Sequence, residues 1–129
     1  MTLYLADAVA LIDFYTGDPA FSKPLIRLFE DTPEAIAVTA TTVWESPSRP
    51  ASASYRPHDP GFQSLAAMLR RHGFERLPLD DQTAEETAQL PTIHADPFDR
   101  ALIATARRTS RTILTKDQII GSYGVQVVW

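Results

Sequence analysis

Four of the acidic residues in this sequence stand beside apolar stretches that could form strands or helices. These residues are Asp7, Glu45, Asp99 and Asp117. Carboxylates that meet in one place repel each other, and a fold tolerates them when they protonate or bind cations. Oxygen ligands without histidine or thiolate are typical of Mg²⁺ or Mn²⁺ sites. Such ions activate water and stabilise charge on a phosphoryl group, so these four acids are the predicted metal ligands and catalytic residues.

Each acid also has a simpler interpretation. In "DPFD", Asp96 fits a helix N-cap, Pro97 the first helical position and Asp99 the third. We interpret Asp96, a fifth acid near the other four, as a cap, whereas capping and metal binding remain equally open for Asp99. Asp117 alone is typical of a turn after a strand, and Glu45 alone fits an amphipathic helix. The prediction therefore depends on the four acids together.

The elements that must position these acids alternate along the chain. Apolar runs predict strands at 2–6, 35–40, 74–79, 112–117 and 125–129. Helices are predicted at 8–15, after Ser22, at 43–45 behind a cap at Thr41 or Thr42, and at 61–73, 81–90 and 96–108. This alternation predicts one α/β domain over 1–129, with a mostly parallel sheet covered by helices on both faces. Ligands gather at the carboxyl ends of such strands, where all four acids are expected.

A proline- and serine-rich segment interrupts the pattern at 46–61. Proline removes a helical hydrogen bond and clashes with the preceding turn, so Pro47 predicts that the helix carrying Glu45 ends close to Ser46. We expect 47–60 to be irregular and mobile. A functional loop and a passive insertion are both open interpretations of this segment.

Composition excludes several classes of protein. The chain has 129 residues, 44% of them hydrophobic, which suits one globular domain. It has no cysteine, so disulfides, zinc–thiolate sites and cysteine nucleophiles are excluded. No apolar run approaches the roughly 20 residues of a membrane span, and the amino-terminal segment lacks a basic leader. We therefore expect a cytoplasmic protein.

The charge balance limits how the protein meets nucleic acid. A net charge of −4 argues against a broad basic face for RNA or DNA. Without the four acids, the chain has 12 acidic and 12 basic residues, so phosphates would be attracted to metal ions and local basic patches. Candidate patch residues, each of which also fits ordinary surface charge, are Arg49, Arg56, Arg70, Arg71 and Arg100.

The sequence does not indicate a functional role for the histidines or the tryptophans. His58, His72 and His94 lack metal-ligand spacing and are expected at the surface. Trp44 and Trp129 are expected to be core or packing residues.

The order of these motifs resembles that of PIN-domain ribonucleases of the VapC toxin type, over essentially the whole chain. "YLADAVALIDF" resembles the family's opening strand with the first acid, which is Asp7. "VTATTVWES" resembles the segment that supplies the second acid, Glu45. The most specific stretch is "LPTIHADPFDRALIATA", with Asp99 as the third acid and Asp96 as a frequent accessory. "ILTKD" gives the fourth acid, Asp117, with a supporting hydroxyl at Thr115, and "YGVQVVW" matches the usual ending.

This resemblance implies an endoribonuclease that depends on Mg²⁺ or Mn²⁺ and cuts structured RNA, often transfer or ribosomal RNA. It also implies a homodimer and a cognate antitoxin that covers the acidic site, often with a basic side chain. The chain departs from the family pattern at Ala8, where Thr or Ser is common, and at Pro47, which interrupts the helix after Glu45.

Two alternatives remain open at this point. A PIN-type domain without catalytic activity could bind a partner or RNA, which the interrupted helix after Glu45 favours and the four retained acids oppose. A phosphate-binding module of receiver type is suggested by Asp7 and Lys116, but the sequence lacks an acceptor aspartate after a central strand. No glycine-rich phosphate loop is present.

Overall fold

The computed structural model of the chain describes residues 1–46 and 65–129. Apart from Ser46, the predicted mobile loop at 46–61 lies outside the described residues. Ser46 is buried, and its hydroxyl donates to the carbonyl oxygen of Thr42 at 2.7 Å. No helix among the described residues is long and apolar enough to cross a membrane.

A parallel sheet forms the centre of the fold. Its strands are β1 (Tyr4–Ala6), β2 (Ile36–Thr39), β3 (Glu75–Leu77), β4 (Thr112–Leu114) and β5 (Val127–Val128). The spatial order is β3-β2-β1-β4-β5, and all four neighbouring pairs are parallel. The predicted parallel sheet is therefore confirmed. A receiver-type module has the order 2-1-3-4-5, so this order counts against that alternative.

Helices connect the strands. They are α1 (Ala8–Thr16), α2 (Lys23–Asp31), α3 (Ala40–Glu45), α4 (Leu65–His72), α5 (Asp81–Gln89), α6 (Pro97–Thr109) and α7 (Gln118–Gly121), with a 3-10 turn at Pro33–Ala35. The helix α7 was not predicted, since four residues are too few to show helical periodicity.

The start of α3 corrects the sequence prediction. Thr39 caps this helix, because its hydroxyl oxygen accepts the backbone N–H of Thr42 at 3.1 Å. Thr41 and Thr42, the predicted caps, lie within the first turn, and their hydroxyls are 2.9 and 3.1 Å from that of Thr39. The helix ends at Glu45, as predicted from the proline that follows.

Two apolar cores lie on opposite faces of the sheet, because successive strand residues point to opposite sides. In β1, Leu5 belongs to one core and Ala6 to the other. The core with Ala6 receives side chains from α1, α2 and α4, namely Leu11, Leu25, Phe29 and Leu69. The core with Leu5 receives side chains from α6 and α7, namely Leu102, Ile103 and Ile120. Helices therefore cover both faces, as the sequence predicted.

Two tryptophans and one histidine test expectations about where these side chains lie. Trp129 packs edge-on against Phe21 with ring centres 5.6 Å apart, which confirms its packing role. Trp44 packs edge-on against Phe98 with ring centres 5.0 Å apart, but it is 74% exposed and therefore is not a core residue. His72, expected at the surface, stacks on Phe74 at 4.7 Å, and its Nε2 lies 2.9 Å from the carbonyl oxygen of Phe29.

Candidate metal centre

The strand order changes direction at β1, which pairs with β2 on one side and β4 on the other. In open parallel sheets, ligands bind at the carboxyl ends of the strands at such a point. Asp7 directly follows β1, and Asp117 follows β4 by three residues. A cleft of about 360 Å³ opens there, lined by Asp7, Val9, His94, Asp96, Asp99, Thr115, Lys116 and Asp117.

Helix caps fix the two strand-end acids. The Oδ1 atom of Asp7 accepts the N–H of Ala10 at 2.7 Å and so begins α1. The Oδ1 atom of Asp117 accepts the N–H of Ile119 at 3.0 Å and begins α7. The N–H of Asp117 donates in turn to the buried hydroxyl of Thr115 at 3.1 Å. Each carboxylate is thereby oriented by a hydrogen bond to one of its oxygens.

The start of α6 brings in two further acids. Asp96 caps this helix, accepting the N–H of Phe98 at 2.9 Å and that of Asp99 at 3.4 Å, which confirms the capping interpretation. Asp99 stands in the first turn with a side chain that is 15% exposed. Burial raises the pKa of Asp99 to about 6, the charge of Asp96 adds to the rise, and those of Glu45 and Asp7 add less.

His94 joins two of these carboxylates. Its Nε2 lies 2.8 Å from Oδ2 of Asp117 and 3.1 Å from Oδ2 of Asp99. The hydrogen bond to Asp117 raises the pKa of His94, whereas desolvation of the ring acts to lower it. His94, expected at the surface, has a side chain that is only 15% exposed and contacts both acids. Spacing rules missed His94 because Asp117 lies 23 residues away on another element.

The predicted ligands converge in part. Among the described residues, His94, Asp99 and Asp117 offer ligand atoms that all lie within 4.8 Å of one another. Asp7 lines the same cleft but lies outside that group. Glu45 is buried at the end of α3 and also lies outside the group, although its negative charge raises the pKa of Asp99.

Basic residues near the cleft differ from the predicted patch. Arg100 is not free to meet RNA, because its guanidinium donates to the carbonyl oxygens of Thr87, Leu90, Pro91 and His94 at 2.9–3.3 Å. Arg70 and Arg71 are exposed on α4, whereas Arg49 and Arg56 lie outside the described residues. Lys116, which lines the cleft, lies 3.9 Å from Oδ2 of Asp13 and 5.4 Å from the ring centre of Trp129.

The residues of the cleft fit a divalent cation of the Mg²⁺ or Mn²⁺ type. Oδ2 atoms of Asp99 and Asp117 are hard oxygen donors within reach of a common point. The raised pKa of Asp99 shows that ionisation of this carboxyl is disfavoured by burial and by neighbouring negative charge. A cation held between these oxygens would remove that penalty.

The sequence matches the PIN domain family over residues 4–125. The chain therefore belongs to the PIN-domain family, whose members are in general nucleases. No curated protein sequence matches the chain significantly.

Solved structures with the same fold share little sequence with this chain. The structure of FitAB bound to an IR36 DNA fragment has a TM-score of 0.68 at 17% identity, covering 98% of this chain and 94% of its own. FitAcB from Neisseria gonorrhoeae has a TM-score of 0.69 at 19% identity, covering 98% and 97%. PAE2754 from Pyrobaculum aerophilum has 0.59 at 18%, covering 98% and 90%. At these identities, the likeness shows the fold.

Proposed function

We propose that the chain, as a single domain over 1–129, is a metal-dependent endoribonuclease and the toxin of a toxin–antitoxin pair of the VapC type. Its reaction is hydrolysis of RNA phosphodiester bonds with Mg²⁺ or Mn²⁺ held by Asp7, Glu45, Asp99 and Asp117. The observation that carries the proposal is the convergence of the Asp99 and Asp117 carboxylates in the cleft of a PIN domain.

Some side chains of the cleft would bind the ion, and others would hold those ligands in place. Asp99 and Asp117 supply oxygens at short range, and Asp7 and Glu45 add negative charge felt at Asp99. The Thr115 hydroxyl supports Asp117 by accepting the backbone N–H of Asp117, and Asp96 orients the first turn that carries Asp99. When bound, the divalent ion supplies activation of water and stabilises charge on the phosphoryl group.

RNA recognition would depend on a few basic side chains, because the net charge of −4 argues against a broad basic face. Lys116 stands at the cleft itself and is half-exposed, and Arg70 and Arg71 are exposed elsewhere on the surface. The VapC resemblance favours a structured substrate, such as transfer RNA or ribosomal RNA.

The same resemblance supports three further parts of the proposal. A cognate antitoxin would cover the acidic cleft, where a basic side chain finds Asp7, Asp99 and Asp117. A homodimer would cover large apolar side chains such as Trp44, which is 74% exposed beside Phe98. The protein would act in the cytoplasm, where both RNA and antitoxin are present.

The nuclease proposal is tested by incubating the purified chain, free of any partner, with total RNA. Parallel reactions contain Mg²⁺, Mn²⁺ or EDTA, and each is repeated with Asp99→Asn. We expect discrete cuts that require the ion and are lost in the variant, since removing a ligand charge weakens the ion site. Asp80→Asn is the matched control, because Asp80 is an exposed cap of α5 away from the cleft.

Other outcomes separate the alternatives. If titration shows that the chain binds the ion but no RNA is cut, the tested RNA is not the substrate. Absence of both cutting and ion binding would favour the PIN-type binding module without catalytic activity.

A further inference from the structure

We propose that His94 is a positioning residue that donates a hydrogen bond from Nε2 to the carboxylates of Asp99 and Asp117 and is not itself an ion ligand. This inference rests on the proposed function, because it concerns the same cleft. It assigns a role to a side chain that lies within ligand distance of both acids.

The contacts of the ring fix the position of its proton. Nδ1 of His94 accepts the backbone N–H of Asp96 at 3.1 Å, so the lone pair of a neutral ring is at Nδ1. The proton of the neutral ring is then at Nε2, which faces Oδ2 of Asp117 at 2.8 Å and Oδ2 of Asp99 at 3.1 Å. Protonation of the ring would add a proton at Nδ1 and leave Nε2–H unchanged.

A ligating histidine has the opposite arrangement. It offers a lone pair to the ion, and its other ring nitrogen donates to a carboxylate, a carbonyl or water. Here the other nitrogen accepts from Asp96, so Nε2 of His94 has no lone pair to give. The arrangement instead matches the groups that hydrogen-bond to ligating carboxylates and hold them in place.

The segment carrying His94 also has anchors that do not involve the imidazole. The Tyr123 hydroxyl oxygen accepts the N–H groups of Ile93 at 3.1 Å and His94 at 2.7 Å, and donates to the carbonyl oxygen of Pro91 at 2.7 Å. Arg100 donates to the carbonyl oxygens of Pro91 and His94 from the other side. Removing the ring should therefore remove its hydrogen bonds to the acids and the acceptor of the Asp96 N–H, while the bonds to Tyr123 and Arg100 remain.

Loss of the donor has a consequence for ion binding. Without the N–H between them, the carboxylates of Asp99 and Asp117 lose the donor that holds them in a common orientation. Groups that support ligands in this way typically contribute about 10- to 100-fold to metal affinity. We expect His94→Ala to lose affinity in that range for Mg²⁺ and Ni²⁺ alike.

The test is a calorimetric titration of the full, tag-free chain with each ion. Imidazole is a preferred ligand of Ni²⁺ and a poor one of Mg²⁺, so a ligand role predicts a much larger loss for Ni²⁺. His72→Ala is the control, since its ring packs on Phe74 away from the cleft. Thermal melting confirms that each variant is folded before it is titrated.

A second measurement does not need the ion. Long-range ¹⁵N spectra of the metal-free protein should show His94 protonated at Nε2 and unprotonated at Nδ1 at a pH where the ring is neutral. An equal loss of affinity for both ions with this tautomer supports the proposal. The opposite tautomer, a loss selective for Ni²⁺, or unchanged or higher affinity overturns it. If the wild-type protein binds neither ion, the metal-site proposal fails, while the tautomer still decides whether His94 donates to the acids.

Discussion

Replacing Asp99 by asparagine is expected to stabilise the metal-free protein at pH 8, although it removes a proposed ligand. A pKa raised from 3.8 to about 6 corresponds to about 3 kcal/mol of free energy that opposes the charged form in the folded state. Asparagine has nearly the same shape and no charge, and its side-chain oxygen can still accept the Nε2–H of His94. Because the Asp99 side chain is 15% exposed, we take about 3 kcal/mol as an upper limit.

The sign of the effect depends on pH. Above the folded pKa of about 6, Asp99 is ionised in both the folded and the unfolded state, and the full penalty is present. As the pH falls from 6 towards 3.8, the folded state takes up the proton first, and the wild-type protein gains stability relative to the variant. Below that range the carboxyl is neutral in both states, and the advantage of Asp99→Asn is lost.

Urea unfolding in EDTA, followed by circular dichroism at pH 8 and near pH 4, measures this difference. Asp80→Asn is the matched control: hydrogen bonds to Thr83 lower the pKa of Asp80, so its substitution should give no gain at pH 8. The reasoning is refuted if Asp99→Asn is less stable than the wild type at pH 8. It is also refuted if the gain is the same at both pH values.

Three further substitutions test other parts of the structure by urea unfolding. Arg100→Met should cost about 2–4 kcal/mol, because four carbonyl oxygens lose a charged donor; a cost below about 0.5 kcal/mol would contradict these bonds. Thr39→Ala should cost about 1 kcal/mol through loss of the α3 cap, and Thr39→Asn, which can still cap, should restore most of it. Trp44→Ser should change stability by less than about 0.5 kcal/mol, since this tryptophan is 74% exposed; a large loss would place the ring in a core.

The sheet could be predicted because its strands are short apolar runs separated by helices. Strand lengths could not be predicted, since apolar residues continue past the hydrogen-bonded ladder. The run 74–79 was predicted as a strand, but the strand covers Glu75–Leu77, while Phe74 is buried in a core just before it. The exposure of Trp44 could not be predicted either, because the sequence of a six-residue helix does not reveal which side faces the sheet.

The acids at strand ends could be located from the sequence, because parallel strands place Asp7 and Asp117 at one edge. The role of Asp96 as a cap followed from the proline after it. His94 and Arg100 could not be assigned, because their partners are carboxylates and carbonyl groups that only the folded loop brings near. The distance of Glu45 from the other ligand atoms depends on how α3 packs, which composition and spacing do not encode.

The proposed function depends most on whether Asp99 and Asp117 hold a divalent ion. Crystals of the wild-type protein soaked in Mn²⁺, measured by anomalous diffraction, test this directly. We predict a Mn²⁺ peak coordinated by carboxylate oxygens of both residues, at about 2.1–2.3 Å, with Nε2 of His94 outside the coordination sphere. A saturated soak with no peak in the cleft, or with Mn²⁺ bound away from both residues, would contradict it.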